Sequence, residues 1–158
     1  MNKKSFAIIF TATLLFIGSA SAVNAQAVAL SGSIGKGTVS RGSTARATVV
    51  MSIPGGLHVN SNRPGSEYAI PTSVRVTVTG GKAGAVAYPR GRSRKFSFSD
   101  EALNVYEGRV SFTFNVTVPA NFSGNTLRVR ATARYQACTN EVCYPPTSKT
   151  VNFTARVQ

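Results

Sequence analysis

The sequence predicts an all-β protein, an antiparallel sandwich of about seven or eight strands. Several short segments alternate between apolar and polar residues, which is the pattern of a strand with one buried face. Turn signals that contain Gly or Pro recur roughly every ten residues, and no segment keeps a helical period. Strands of this kind bury their apolar faces by packing one sheet against another.

Six segments carry the clearest strand pattern. Residues 43–53 place apolar side chains at alternate positions and end in the turn Pro54-Gly55-Gly56. Residues 109–118 are the most regular, with an apolar side chain at every even position, so we expect this strand at the centre of the core. The remaining strands are expected at residues 57–60, 74–78, 127–138 and 150–157, with a weaker one at 83–88.

Other segments are predicted to be irregular. Residues 27–38 are small and Gly-rich and form a loose arm with at most one edge strand. Residues 89–95 form a basic loop, for which we favour a solvated turn over docking to an acidic partner. Residues 96–104 contain two Phe residues and two acids and need no regular structure.

The N-terminus is typical of a secretory signal peptide. The basic start Met1-Asn2-Lys3-Lys4 precedes an apolar run at residues 6–18 that is too short and wrongly flanked for a permanent membrane span. Small residues allow cleavage after Ala25, which we favour, or after Ala22. We therefore expect residues 1–25 to be removed and residues 26–158 to form one exported domain without a membrane span.

The chain is strongly basic, with a formal net charge of +13 for the whole sequence. Such an excess favours an acidic partner or an anionic surface. Nucleic acid is an unlikely ligand for an exported chain that lacks an aromatic-rich basic motif. The single histidine, His58, has no accompanying cluster of metal-ligand residues, so we expect a structural role for it and no metal site. No signature of a Ser or Cys hydrolase is present either.

Two cysteines, Cys138 and Cys143, are the only ones in the chain, and strand-like segments flank them. A hairpin would bring the two residues close enough for a disulfide, and an exported chain meets oxidising conditions. A ring this short stabilises a fold by only about 2 kcal/mol, compared with nearly 5 for a loop of about 100 residues. A redox role and a purely structural role both remain open on these grounds.

The position of Cys138 in the alternating pattern indicates that its side chain faces solvent. Apolar residues occupy the odd positions from Leu127 onwards, which places Cys138 on the outward face. The polar residues on the same face are Arg128, Arg130, Arg134 and Gln136. An exposed sulfur can meet a partner thiol, so this pattern favours exchange chemistry.

Three motifs resemble one known family. They are Val105-Tyr106-Glu107-Gly108, Tyr135-Gln136-Ala137-Cys138 and Cys143-Tyr144-Pro145-Pro146. They look like landmarks of the N-terminal periplasmic domain of the bacterial thiol:disulfide interchange protein DsbD. The similarity spans residues 56–153 in the expected order and includes His58-Val59-Asn60-Ser61-Asn62-Arg63-Pro64. The resemblance implies an immunoglobulin-like fold, a periplasmic location, a redox-active disulfide and no cofactor.

The resemblance also implies roles for individual residues. Cys143 would form the bond to the partner and Cys138 would resolve it. Tyr135, Tyr144 and Asn60 would line the site. Residues 96–104 would form a cap loop over the disulfide, with Phe98 as the shielding ring and Phe96 as second choice. The alternative for these two rings is that both are ordinary core residues.

The partners implied are thioredoxin-like or other periplasmic thiol-disulfide proteins. The family's full-length protein continues into a membrane electron-transfer domain and a thioredoxin-like domain, whereas this sequence stops at Gln158. We therefore expect the reductant to be another polypeptide, which includes the possibility of a membrane electron-transfer protein. The competing prediction is an exported binding sandwich with an inert disulfide and a basic surface.

Overall fold

The computed structural model describes residues 27–158, so the predicted signal peptide lies outside the described residues. Within this range the chain forms twelve strands. No helix in residues 27–158 is long and apolar enough to cross a membrane. The strands are β1 (Ala29–Ile34), β2 (Thr38–Val39), β3 (Thr44–Ser52), β4 (His58–Asn60), β5 (Ser73–Thr79), β6 (Lys82–Ala83), β7 (Arg92–Arg94), β8 (Leu103–Tyr106), β9 (Arg109–Thr117), β10 (Thr126–Tyr135), β11 (Ala137–Cys138) and β12 (Thr147–Val157).

The strands form three sheets of four. Their orders are β1-β3-β9-β6, β2-β12-β10-β5 and β11-β4-β8-β7. All pairs are antiparallel except β2 beside β12, which is parallel. The third sheet contains β4, which follows β3 after one turn, and β11, which follows β10 after one residue. Because each of these short strands continues a long strand of a main sheet, the third sheet lies where both main sheets end, at the end of the molecule that carries the cysteines.

The core lies between the first two sheets, and the alternating pattern of the long strands produces it. In β10 every odd position from Leu127 to Tyr135 is buried, while most even positions are exposed. In β9, Phe112, Phe114 and Val116 are buried, as the sequence predicted. Most of the stability of such a sandwich comes from the apolar area that these inward faces remove from water.

The predicted all-β, immunoglobulin-like class is confirmed, but the number of strands is larger than predicted. Six of the twelve strands have only two to four residues, which is too short for alternation to be visible in the sequence. One of them, β7, lies inside the basic segment that was expected to be a turn, and it pairs with β8. The Gly-rich arm does contain one edge strand, β1.

A glycine on β1 permits close packing of the two main sheets, and we expect its replacement to destabilise the fold. A Cβ atom added at Gly32 would lie 2.2 Å from the Phe153 ring on β12. Gly32→Ala should therefore lower the free energy of unfolding by about 1–3 kcal/mol, because the ring must leave its site. Urea unfolding measures this change. Gly55→Ala is the matched control, since nothing lies within 4 Å of its added Cβ, and an equal loss there would contradict the packing argument.

Candidate functional site

Cys138 and Cys143 form a disulfide at the end of a short hairpin. Their Cα atoms are 4.0 Å apart, and the two residues pair as an isolated antiparallel bridge. The hairpin has its own hydrogen bonds on both sides of the disulfide. Tyr144 N donates to Ala137 O at 2.9 Å, and Thr139 N donates to Val142 O at 2.8 Å. The expected disulfide and the expected hairpin are therefore both present.

The Thr139 side chain organises the four residues inside the ring. Its Oγ1 accepts hydrogen bonds from the backbone N of Glu141 at 3.2 Å and of Val142 at 3.1 Å. A hydroxyl that binds backbone N–H groups two and three residues ahead is a common way to close a tight turn. The turn is thus stabilised by hydrogen bonds that do not depend on the sulfur–sulfur bond.

The two cysteines differ sharply in exposure. The side chain of Cys138 is 0% exposed, whereas Cys143 is exposed. The prediction that Cys138 faces solvent is therefore wrong. The reason is that β10 ends at Tyr135, and the alternation does not continue through Gln136 into β11, where Ala137 and Cys138 are both buried. Of the two cysteines, Cys143 is therefore the one at the surface, where a partner can approach it.

Asn60 and Gln136 connect the strands behind the disulfide. Asn60 Nδ2 donates to Gln136 Oε1 and to Ile70 O, each at 3.1 Å. Gln136 Nε2 in turn donates to Tyr144 O at 3.3 Å, just beyond Cys143. Asn60 lies beside the site, where the resemblance placed it. Gln136 was not among the predicted site residues, although its position in the Tyr-Gln-x-Cys motif was a signal that could have identified it.

Three stacked rings cover the buried side of the site. The His58 and Phe96 rings lie 4.0 Å apart at an interplanar angle of 11°, and the Phe96 and Phe98 rings lie 5.2 Å apart at 7°. Phe96 is buried in a small cluster with Leu103 and Val105, separate from the main core. Phe98 is 38% exposed and lines the same depression as Cys143. The two Phe residues therefore occupy different environments, with only Phe98 at the surface beside the reachable sulfur.

The loop that carries these rings is fastened to the tip of the hairpin. Ser97 Oγ donates to Asn140 O at 3.1 Å, which connects the loop to the ring that the disulfide closes. Lys95 Nζ donates to Asp100 O, and Ser99 Oγ donates to Glu101 O at 2.8 Å, so the loop is also braced internally. Neither the Ser97 contact nor the internal bracing was predicted from the sequence.

The two tyrosines of the predicted site contact the main hydrophobic core. Tyr135 is buried in the main hydrophobic core, and its burial raises the pKa of its hydroxyl. Tyr144 is half-buried and packs against the same core. Both residues therefore join the disulfide hairpin to the core, and Tyr144 directly follows Cys143 in the chain.

Two depressions flank the hairpin, and together they contain every acidic residue of the sequence. One of about 630 Å³ is lined by Cys143, Phe98 and the acids Glu67, Asp100 and Glu101. The other, of about 570 Å³, is lined by Glu107 and Glu141 together with the basic residues Arg94 and Lys95 and residues of the cap loop. The sequence has only five acids against 18 Lys and Arg residues, so the first depression, with three acids and no Lys or Arg in its lining, differs in charge from the rest of the molecule.

Exposed large apolar side chains lie at the same place. In the part of the chain that the structure describes, they are Tyr68 at 87%, Val142 at 55% and Phe98. Tyr68 and Phe98 line the depression with Cys143, and Val142 precedes Cys143 in the chain. Apolar groups left in water around one reactive atom are typical of a surface that a partner covers.

The fold lowers the pKa of two residues near the site, His58 and Glu107. Burial lowers the pKa of His58 from 6.5, because the imidazolium would lose its hydration, and the Glu107 carboxylate opposes this only in part. Arg94 donates to Glu107 at 2.8 Å, and this hydrogen bond lowers the pKa of the carboxyl group. No group of three or more potential metal ligands is found within residues 27–158.

These shifts predict that the protein loses stability in acid over two separate ranges. Below pH 6.5 the unfolded chain takes up a proton at His58 that the native chain excludes, so the free energy of unfolding falls by up to about 1.4 kcal/mol between about pH 7.5 and 5.5. The Glu107 contribution is lost only below about pH 4.5, as its carboxylate is protonated. Urea unfolding of His58→Phe should be flat over the upper range. Glu107→Gln is the control and should keep the upper decline; a decline of equal size in His58→Phe would contradict the assignment.

The fold and the site define a small all-β domain with one hairpin disulfide, of which one sulfur is exposed and the other is buried. The sequence model of the family described as thiol:disulfide interchange protein DsbD, N-terminal, matches residues 31–155. This match covers most of the chain, and the chain belongs to that family. The resemblance found in the sequence motifs is thus confirmed.

Solved structures include two related domains. The N-terminal domain of DsbD from Neisseria meningitidis, in the reduced form, is 18% identical, with 71% of this chain and 82% of that chain covered and a TM-score of 0.44. The N-terminal periplasmic domain of ScsB from Proteus mirabilis is 14% identical, with 78% of this chain and 44% of that chain covered and a TM-score of 0.53. At this identity the likeness to ScsB concerns the fold alone. No curated protein matches the chain.

Proposed function

We propose that the chain is an exported thiol:disulfide exchange module of the bacterial periplasm. It accepts two electrons from a thioredoxin-like partner through the Cys138–Cys143 pair and passes them to an oxidised periplasmic protein. The observation that carries this proposal is the asymmetry of the pair, because Cys143 is exposed and Cys138 is fully buried. A disulfide with one reachable sulfur directs attack to that sulfur, and family membership supports the same chemistry.

Reduction proceeds in two exchange steps. A thiolate of the partner attacks Sγ of Cys143, a bond forms between these two sulfurs, and the electron pair of the Cys138–Cys143 bond leaves with Cys138 as a thiolate. The second thiolate of the partner then attacks the partner's own bonded sulfur and releases Cys143 as a thiolate. The partner ends as a disulfide, and the pair in this chain ends as a dithiol once each sulfur has taken a proton.

Delivery of the electrons runs the same steps in reverse. The Cys143 thiolate attacks a disulfide of the oxidised target, which releases one target thiolate and forms a mixed disulfide. Cys138, which lies next to Cys143 in the hairpin, then attacks the Cys143 sulfur and frees the second target thiolate. The buried position of Cys138 keeps it from reacting first, so its role is resolution.

The cap loop limits this chemistry to proteins that can displace it. Phe98 lies at the surface of the depression that contains Cys143, and Ser97 connects the loop to the hairpin tip. A partner that moves or contacts Phe98 gains access to the sulfur, whereas a small thiol must wait for the loop to open. Two observations thus support the proposal that Phe98 shields the disulfide, namely its position in the same depression as Cys143 and its partial exposure.

The surroundings of Cys143 indicate what kind of partner fits. Glu67, Asp100 and Glu101 line the depression together with Cys143 and the exposed apolar side chains of Tyr68 and Phe98. The partner that complements this surface has an apolar patch beside its cysteine and basic residues around that patch. The net positive charge of the whole chain does not describe this surface. The local charge of the contacting surfaces determines which surface of a partner is complementary to it.

We expect removal of these charges to slow reaction with such a partner. The triple variant Glu67→Gln, Asp100→Asn, Glu101→Gln should react several-fold more slowly with a thioredoxin-like dithiol of basic rim at low ionic strength, and the difference should shrink in high salt. Stopped-flow measurement of the second-order rate constant tests this. Reduction by uncharged dithiothreitol is the control and should be unchanged. A rate difference that does not depend on salt would contradict the electrostatic explanation.

Redox titration with thiol trapping tests the proposed function as a whole. A reduction potential in the thioredoxin range, about −270 mV, supports exchange, whereas a value below about −300 mV indicates a structural bridge. Incubation with a reduced thioredoxin-like protein should convert both cysteines to alkylatable thiols while the chain stays folded. A potential below about −300 mV together with no reduction by the thioredoxin-like protein would instead support an exported binding sandwich with an inert disulfide.

A further inference from the structure

His58 has a buried nitrogen atom that makes no hydrogen bond in the disulfide-bonded structure. The side chain is 2% exposed, and its Nε2 has no hydrogen-bond partner among the described residues. Burying an imidazole nitrogen without a hydrogen-bond partner is unfavourable, and native proteins leave few such groups unpaired. A buried nitrogen without a hydrogen bond in one state of the protein is therefore expected to form one in another state.

The backbone register places His58 directly opposite Cys138. In the pairing of β4 with β11, His58 and Cys138 are partners, and directly opposed residues of an antiparallel pair project to the same face. Their Cβ atoms are then about 4.5–5.5 Å apart, which is within reach of an imidazole for a sulfur atom. Phe96 stacks on the imidazole, so the ring cannot turn away to solvent.

We propose that His58 is the hydrogen-bond donor that stabilises the Cys138 thiolate when the disulfide opens. The proposal rests on the exchange function above and adds a residue to its mechanism. When a partner thiolate bonds to Cys143, the electron pair of the broken bond moves to Cys138 Sγ. This sulfur is buried away from water, and the N–H at His58 Nε2 becomes its partner. The proton stays on nitrogen, so the hydrogen bond adds no oxidant, reductant or base to the reaction.

The same hydrogen bond serves both directions of exchange. In reduction it makes Cys138 a better leaving group, because a thiol of lower pKa leaves faster. In delivery it raises the fraction of Cys138 present as the thiolate that resolves the mixed disulfide. The role requires a neutral imidazole that keeps its donor, and the lowered pKa of His58 supplies that form at neutral pH. Among the described residues, the charged group that acts on the imidazole is Glu107, whose carboxylate is itself paired with Arg94.

The test measures the pKa of Cys138 with no partner present. In a Cys143→Ser background, ultraviolet absorbance of the thiolate is followed against pH, with the Cys138→Ser, Cys143→Ser double variant as the blank for tyrosine ionisation. His58→Phe keeps a ring to stack on Phe96 but removes Nε2, and it should raise the Cys138 pKa by about one unit, equivalent to one hydrogen bond. His58→Gln restores an N–H donor that does not titrate, and it should recover most of the shift.

Phe98→Leu is the matched control, because it disturbs the same stack without removing the nitrogen, and it should leave the Cys138 pKa unchanged. Should His58→Phe fail to fold, His58→Leu against His58→Gln makes the same comparison. An equal Cys138 pKa in wild type and His58→Phe, or an equal rise in His58→Phe and His58→Gln, overturns the proposal. These outcomes are separate from the exchange function, which fails only if the protein with both cysteines and native His58 does not exchange with a thioredoxin-like dithiol.

Discussion

Serine at position 138 should convert the protein into one that forms a lasting mixed disulfide with its partner, whereas serine at position 143 should not. In Cys138→Ser the exposed Cys143 still attacks or accepts a partner sulfur, but this chain has no second cysteine to resolve the bond, which lasts when the partner also lacks its resolving cysteine. In Cys143→Ser the remaining thiol is fully buried and reacts only when the site opens locally. A local opening of about 3 kcal/mol corresponds to a difference in trapping of about 100-fold.

Non-reducing electrophoresis measures this difference after incubation with a thioredoxin-like protein whose second cysteine is replaced by serine and whose first is activated as a mixed disulfide with thionitrobenzoate, which leaves when Cys143 attacks. The double serine variant is the control for association without a covalent bond. Equal trapping by the two single variants would contradict the asymmetry and with it the assignment of Cys143 as the sulfur that meets the partner. The same experiment in whole cells, with mass spectrometry of the trapped species, identifies the partner.

Replacement of the two cap-loop phenylalanines should have very different effects on stability. Phe96 is buried, stacks on His58 and belongs to a small cluster with Leu103 and Val105, so Phe96→Ala should lower the free energy of unfolding by about 3 kcal/mol, the lower end for a buried Phe. Phe98 is partly exposed and already contacts water, so Phe98→Ala should cost less than about 1 kcal/mol. The two variants therefore distinguish a ring that is expected to support the fold from a ring that is proposed to shield the disulfide.

Urea unfolding gives the two stabilities, and the rate of disulfide reduction by glutathione gives the access to Cys143. Phe98→Ala should increase that rate several-fold at nearly constant stability, because it removes the ring beside the exposed sulfur. A loss of stability in Phe98→Ala as large as that in Phe96→Ala would make Phe98 an ordinary core residue. An unchanged reduction rate would show that the ring does not shield the disulfide.

The long strands could be predicted from the sequence because each carries its own alternation of apolar and polar residues. The strands β3, β9, β10 and β12 are of this kind, and their buried positions follow the pattern. The third sheet could not be predicted in this way. Its strands have two to four residues, and in β4 and β11 every residue is buried, so no alternation remains to reveal them. Their pairing depends on where the longer strands end.

In the candidate site, too, some features could be predicted from local sequence patterns and others could not. The cysteine pair, Asn60 and the cap-loop rings could be located from motifs, because these residues lie in recognisable local patterns. The burial of Cys138 and the place of His58 beside it could not, because both follow from the pairing of β11 with β4, residues about 80 positions apart. The sequence prediction extended the alternation of β10 through Gln136, but β10 ends at Tyr135. The predicted orientation of Cys138 was wrong for this reason.

The hydrogen bonds of the hairpin have a consequence for the energetics of electron transfer. Thr139, Val142, Tyr144 and Ala137 close the turn through hydrogen bonds that do not involve the sulfur atoms. In the proposed exchange cycle we therefore expect reduction to move the two sulfur atoms and to leave the hairpin backbone in place. Donor and acceptor proteins would then meet nearly the same backbone surface, and the direction of flow would be set by the relative reduction potentials of the three proteins.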